Sequence, residues 1–262
     1  MEGLTPYFDT HTHLDQILPR FKVELEGFPA FRGEYFRNGF GGCVTVSADV
    51  GSIEPVRQLL HFDDVYAAFG IHPHVTYTDE VERELVEAMA LPKTLAWGEI
   101  GLDYHYNLSD PATQRQVFAR QIQLAVQHNK PLVIHTREAE EDTLKIMKEH
   151  VPKEWRVHVH CFTSSLDMAK SLLDEWPNLF IGYTGVITFG ASDLSEVVRH
   201  VPLERILLET DGPYMTPAPY RGKVCHSGHV PFIAKKVGEL KGMPLAQVLQ
   251  AARDNTRRMY GV

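Results

Sequence analysis

Cysteine is scarce in this chain. Its 262 residues include three, Cys43, Cys161 and Cys225, an odd number, widely spaced and with no CxxC pair. That excludes a disulfide framework, and reduced thiols in an intracellular compartment, cytoplasmic or nuclear, are expected. Also missing is any apolar run of the roughly 18 residues that a membrane-spanning helix needs. Residues 1–9 carry neither the basic nor the apolar stretch of a secretory leader, so no membrane partner is expected. There is no surplus of positive charge either: 26 Lys and Arg stand against 34 Asp and Glu, a net charge of −8. This excludes a broad cationic surface that holds nucleic acid by charge alone, so a polyanionic substrate would have to be attracted locally. Repeats and low-complexity segments are absent too. Apolar residues at 44% and charged residues at 23% describe an ordinary globule, and the length suits one barrel-sized domain spanning 1–262. Histidine, by contrast, is plentiful at 14 residues, and neutral imidazole is the commonest metal ligand.

Eight short β-rich runs recur along the chain, near residues 6–9, 41–47, 65–71, 95–99, 132–135, 157–160, 179–183 and 206–209. Between them, apolar residues fall at helical spacing: Val81, Leu85 and Met89; Phe118, Ile122 and Ala125; Met168, Leu172 and Trp176; Leu194, Val197, Val198 and Val201. Asp110 before Pro111 reads as a helix start, and Asn129-Lys130-Pro131 as a stop. Leu245, Val248, Leu249 and Ala252 mark a closing helix. Residues 16–39 are less periodic and read as a helix with an irregular insertion. Strands alternating with helices predict an α/β fold, a closed (β/α)8 TIM barrel with a doubly wound open sheet as the alternative.

His11-Thr12-His13 directly follows the first run. In extended backbone, residues two apart face the same way, so both imidazoles can face one metal ion, although two histidines in a polar loop would read the same. Other candidates stand at the same end of other runs: Glu99 ends the fourth, His135 the fifth and His160 the sixth, while Asp211 follows the eighth. Barrel active sites are built at that face, from residues of several strands. Three or four N/O ligands per ion leave room for water and substrate, and a shared carboxylate would hold two ions roughly 3.5–4 Å apart. Glu99 is the expected bridge, and Asp211 is expected to serve as both ligand and proton acceptor. Mg2+ or Mn2+ suits phosphoryl chemistry, and the imidazoles also suit Zn2+. His72 is expected to donate to a phosphate oxygen or to orient a ligand. Arg137 is expected to clamp phosphate with its guanidinium fork. His74, His105, His128, His150, His158 and His200 carry no expected role.

The segments Phe8-Asp9-Thr10-His11-Thr12-His13-Leu14-Asp15, Gly70-Ile71-His72-Pro73-His74, Gly98-Glu99-Ile100-Gly101-Leu102-Asp103-Tyr104, His135-Thr136-Arg137, His160-Cys161-Phe162-Thr163 and Leu208-Glu209-Thr210-Asp211-Gly212-Pro213-Tyr214 resemble, in order, the signatures of the TatD family. The resemblance covers nearly the whole chain. It implies a barrel fold, two divalent metal ions and nuclease activity on DNA, with RNA an alternative substrate. The net negative charge predicts weak nonspecific binding, so a short or single-stranded end able to enter a barrel mouth is the expected point of attack rather than a long duplex. Motif matching implies that His11, His13, Glu99 and Asp211 hold one ion, and Glu99, His135 and His160 the other. Within the signature, Asp103 is expected to fix the loop below Glu99. Where family members commonly carry Arg-Asn-Glu-Pro, this chain reads Val224-Cys225-His226-Ser227-Gly228-His229. Here, and in its Phe-rich early insertion, it looks nearer to eukaryotic TatD-domain proteins than to bacterial enzymes. Packing or substrate contact is expected of that loop rather than a third metal site. Two rival readings are a dinuclear amidohydrolase-type barrel acting on a non-nucleic substrate, which Glu99 in place of a bridging modified lysine disfavours, and a noncatalytic TatD-like binding domain, which the complete ligand set disfavours.

Overall fold

The eight β-rich runs fold as eight parallel strands: β1 (Tyr7–Thr12), β2 (Phe40–Ser47), β3 (Val65–Phe69), β4 (Thr94–Asp103), β5 (Leu132–Arg137), β6 (Val157–Val159), β7 (Leu179–Tyr183) and β8 (Ile206–Leu208). Each pairs with the next in chain order. A doubly wound sheet would reverse strand order at a switch point; here the order never reverses, and the architecture is a (β/α)8 barrel. The computed structural model describes residues 5–36, 39–106 and 108–262.

The helices are α1 (Leu14–Arg20), α2 (Phe28–Tyr35), α3 (Val50–Leu59), α4 (Asp79–Met89), α5 (Pro111–Gln127), α6 (Glu140–His150), α7 (Leu166–Glu175), α8 (Ser192–His200), α9 (Val230–Lys241) and α10 (Leu245–Tyr260). Their apolar stripes bury against the outer face of the strands, as the spacing requires: Val81, Leu85 and Met89 of α4 and Phe118, Ile122 and Ala125 of α5 all join the main core. The Asp110 carboxylate accepts from the amides of Ala112 and Thr113 and so caps α5. The irregular stretch after β1 resolves into α1, a 3-10 turn at Leu25–Gly27, and α2. Its phenylalanines Phe28, Phe31 and Phe36 form a satellite core with Leu14, Ile17 and Leu18.

Side-chain alternation sorts the barrel interior into levels. Val44, Val46, Ala68, Ala96, Val133, Phe180 and Leu207 form an apolar floor with Phe8, which Met259 and Tyr260 of α10 complete. Two residues further along β5, Val133 gives way to His135; beyond β8, Leu207 is followed at the same parity by Glu209 and Asp211. The floor therefore holds the barrel together while the next level up carries chemistry. Two strands break the alternation. β1 shifts register on both sides of Asp9, and β4 shifts between Trp97 and Ile100. Each shift turns residues of opposite parity inward, Phe8 with His11 and Ala96 with Glu99.

The ring closes between β8 and β1 on buried polar groups. The Asp9 carboxylate accepts from the amide and the hydroxyl of Thr210 (2.9 and 2.6 Å), and the Thr10 hydroxyl donates to the Leu208 carbonyl. Main-chain bonds run from the Asp211 amide to the His11 carbonyl and from the His13 amide to the Gly212 carbonyl. The seam thus fixes Asp211 beside His11 and His13.

Close approach of β4 to β5 depends on Gly101. A Cβ added there would stand 1.9 Å from the His135 carbonyl oxygen, at a φ of 150°. Gly101→Ala is expected to cost ~2–3 kcal/mol through forced separation of the strands, measured as a lower urea midpoint with an unchanged slope.

Candidate functional site

Glu99 does not end β4, as the sequence suggested; the strand continues to Asp103. The register shift before Ile100 leaves the carboxylate buried at the barrel axis. Its two oxygens face different groups. Oε1 lies 2.6 Å from His160 Nε2, 2.9 Å from His135 Nδ1 and 3.8 Å from His72 Nε2. Oε2 lies 3.6 Å from His11 Nε2. Across the cluster, Asp211 Oδ1 stands 3.4 Å from His13 Nε2 and 3.7 Å from His11 Nε2. His11 belongs to β1 itself rather than to the loop after it, while His13 stands at the residue just before α1. The structure therefore brings together His11, His13, Glu99, His135, His160 and Asp211, with His72 at their edge.

This donor set fits divalent metal. His11 is wholly buried, and neither ring nitrogen has a hydrogen-bond partner, a costly state for a polar group that a metal would relieve. Ligand atoms within 4.8 Å of one another occur in the sets His11–His13–Glu99, His11–His160–Asp211 and His72–Glu99–His135. The surroundings fix which nitrogen is offered. His13 Nδ1 donates to the Val46 carbonyl (2.8 Å), leaving Nε2 toward Asp211. His135 Nε2 donates to Asp103 (3.1 Å), leaving Nδ1 toward Glu99.

Without metal, protons perform part of the neutralisation. Burial opposes a charge on His13, yet Asp211 and Glu99 beside it raise its pKa to about 9. Burial likewise opposes charge on His135, but Asp103 and Glu99 raise it to about 9. Burial works against Glu99 too, and the facing imidazoles still hold its carboxyl well below the usual range. Burial and the neighbouring His160 charge push His11 down to about 4. Burial pushes His72 to about 3, which keeps it neutral. His72 Nδ1 accepts from the His74 amide (3.2 Å), so Nε2 carries the hydrogen.

Supporting residues carry contacts that the sequence reading did not assign. Asp103 does more than fix a loop, since it accepts from His135 Nε2 and also lies 3.5 Å from His74 Nε2. His158 and Glu209 form a fully buried pair at 2.7 Å beneath His160, and His158 Nδ1 meets the Tyr260 hydroxyl at 2.7 Å. A Cβ on Gly182 would stand 2.4 Å from His158 Nε2, so only glycine leaves room for the pair. The signal was present: Val-His-Val-His at 157–160 repeats the alternation that singled out His11 and His13, and Glu209 stands two residues before Asp211. Arg137 lies half-buried with its guanidinium 5.0 Å from the Tyr106 ring. Among the described residues it has no acidic partner.

The divergent 224–229 loop is packing. The His226 ring stacks on Phe36 and meets Phe21, Phe31 and Tyr35 edge-on. Its Nδ1 accepts from the Gly228 amide, and His229 Nδ1 accepts from the His226 amide. Burial pushes their pKa values down to about 3 and about 4. Neither joins a ligand-spaced group among the described residues.

Residues 8–261 match the family model for TatD related DNase. The human 3'-5' RNA nuclease TATDN2 is 40% identical over 98% of this chain, and the chain spans 35% of that protein's length. The uncharacterized metal-dependent hydrolase YabD of Bacillus subtilis is 34% identical over 97% of this chain and 99% of its own. The crystal structure of YJJV, a TatD homologue from Escherichia coli, superposes with a TM-score of 0.88 at 27% identity over 98% of each chain. This chain belongs to the TatD-related DNase family of metal-dependent hydrolases.

Proposed function

We propose that the chain is a phosphodiesterase acting on single-stranded nucleic acid, RNA as well as DNA, with two divalent cations at the barrel mouth. The observation that carries this reading is Glu99, whose two oxygens face separate imidazole groups as a bridging carboxylate must. His11, His13, Glu99 and Asp211 would hold one cation, and Glu99, His135 and His160 the other. Bound divalent cations supply acidification of water and neutralisation of the phosphate. The chain's residues supply placement and proton transfer. Asp211 directs Oδ1 at His11 and His13, which leaves Oδ2 to accept the proton of the attacking water. Neutral His72 donates from Nε2 to a phosphate oxygen. Arg137, free of acidic partners among the described residues, reaches the adjoining phosphate with its fork. The nuclease activity of the human relative supports nucleic acid as substrate.

Asp211→Asn retains size and one coordinating oxygen but no proton acceptor. A loss of roughly 10²–10⁴-fold in kcat on a labelled single-stranded oligonucleotide is expected, with the folded circular dichroism spectrum kept. Near wild-type turnover at saturating metal would remove Asp211 from the proton path. Arg137→Ala should raise KM roughly tenfold with metal content intact, and Arg137→Lys should restore part of that, because a point charge cannot reproduce a fork.

The imidazole shifts also give a pH dependence. His13 and His135 have folded values raised from 6.5 to about 9. In metal-free protein their contribution to stability is complete below 6.5 and lost as pH rises through about 9. Chelated protein should therefore melt at a lower temperature above that window than below it. Added Mn2+ or Zn2+ should restore the high-pH melting temperature and release protons on binding, which calorimetry in buffers of different ionisation enthalpy reads directly. A chelated protein whose melting temperature holds level across the window would contradict the proton-for-metal exchange.

A further inference from the structure

Large hydrophobic side chains are exposed at Val50, Tyr106, Leu108, Phe189, Tyr214 and Met215. Each follows the carboxyl end of a strand: β2, β4, β7 or β8. Exposed apolar surface among the described residues is thus gathered on the face that carries the metal-type cluster, the distribution of a binding surface rather than of incidental exposure. The three exposed aromatic residues share a second property. Each carries an arginine over its ring: Arg137 over Tyr106 at 5.0 Å, Arg20 over Tyr214 at 5.1 Å and Arg221 over Phe189 at 3.5 Å. In a chain of net charge −8, these pairs place local cations beside flat rings around one opening.

Two of the pairs connect directly to the site. The Tyr106 ring meets His74 edge-on at 5.7 Å, and His74 Nε2 lies 3.5 Å from the Asp103 carboxylate that holds His135. The Tyr214 amide donates to the Asp211 carbonyl, and its hydroxyl donates to Gln16. Tyr106 follows β4 and Tyr214 follows β8, strands four apart in a ring of eight. They therefore follow strands on opposite sides of the ring, the same two strands that lead to Glu99 and Asp211. Tyr106 and Tyr214 are 49% and 46% exposed, which leaves surface for a further planar group.

We infer that Tyr106 and Tyr214 are base-stacking platforms that seat the two nucleotides flanking the scissile phosphate of a single strand, with Arg137 and Arg20 on the adjoining phosphates. This rests on the phosphodiesterase reading above and extends it to substrate selection. Bases stack on aromatic rings irrespective of sequence, but only when unpaired, so the platforms select single strands and set no sequence preference. Phe189 with Arg221 extends the track on the β7–β8 side of the mouth.

The test uses metal-loaded protein and a phosphorothioate-linked, cleavage-resistant oligodeoxynucleotide with 2-aminopurine on either side of its central linkage. Binding and stacking are read from 2-aminopurine fluorescence, and cleavage is read separately on the unmodified oligonucleotide. Wild type should quench both probes. Tyr106→Ala and Tyr214→Ala should each remove the quench at one position and weaken binding roughly tenfold, while Tyr106→Phe and Tyr214→Phe keep both properties. An abasic site at that position should weaken wild-type binding by the same factor and weaken the matching Ala variant no further. Unchanged affinity in both Ala variants, or Phe variants as defective as the Ala variants, would overturn the platforms. Quenching without cleavage would sink the phosphodiesterase reading and leave the platforms standing. Cleavage without quenching would do the reverse, and absence of both would remove both.

Discussion

A carboxylate held at the axis of a barrel, out of water, is the constraint around which the site is built. Among the described residues Glu99 has no Lys or Arg as a close partner; it is surrounded by imidazoles at 2.6 to 3.8 Å. Isolated, such a charge would cost several kcal/mol, on the order that drives buried carboxyls to hold their proton. Here the charge persists because positive charge is shared across His13, His135 and His160, or supplied by metal in their place. The supporting bonds serve that arrangement. Asp103 turns His135 so that Nδ1 points inward, the Val46 carbonyl does the same for His13, and the β1–β8 seam sets Asp211 opposite.

The fold separates this polar level from the part that stabilises it. Below the site, the floor that begins with Phe8 and ends with Tyr260 is apolar, and it borrows its last members from the C-terminal helix. His158 is the exception on that level. Its imidazole links the Tyr260 hydroxyl to Glu209, and Glu209 in turn accepts from the Cys161 amide just beyond His160. A continuous polar connection thus runs from α10 up to the residue that follows a candidate ligand. A partly satisfied buried network is costly, so each member constrains the next.

The early insertion and the 224–229 loop are two halves of one packing unit, not two separate departures. His226 fills a hole lined by the rings of Phe21, Phe31, Tyr35 and Phe36. The insertion's aromatic excess therefore has its counterpart in the loop's histidines. Cys225, next to them, is buried and reduced. Tyr214, with Arg20 over its ring, is absent from the ring contacts of this unit and stays exposed.

The sequence by itself determined the alternation of strands and helices, because apolar periodicity is local and repeats once per strand–helix unit; that narrowed the fold to a closed barrel or a doubly wound sheet, and the unreversed strand order of the structure decided for the barrel. The sequence also determined the six clustered residues, through their shared place at strand ends and their order in the family's signatures. It did not determine which side chains face in on β1 and β4. Strict alternation would send Phe8 and His11 to opposite faces, and likewise Ala96 and Glu99; register shifts against the neighbouring strands turn all four inward. Nor did it pair His158 with Glu209, His74 with Asp103, or Tyr106 with Arg137, since these partners lie 51, 29 and 31 residues apart in the chain. Such contacts depend on how neighbouring strands slide past one another and where loops land on the rim. No local pattern encodes those quantities, and only the closed ring fixes them.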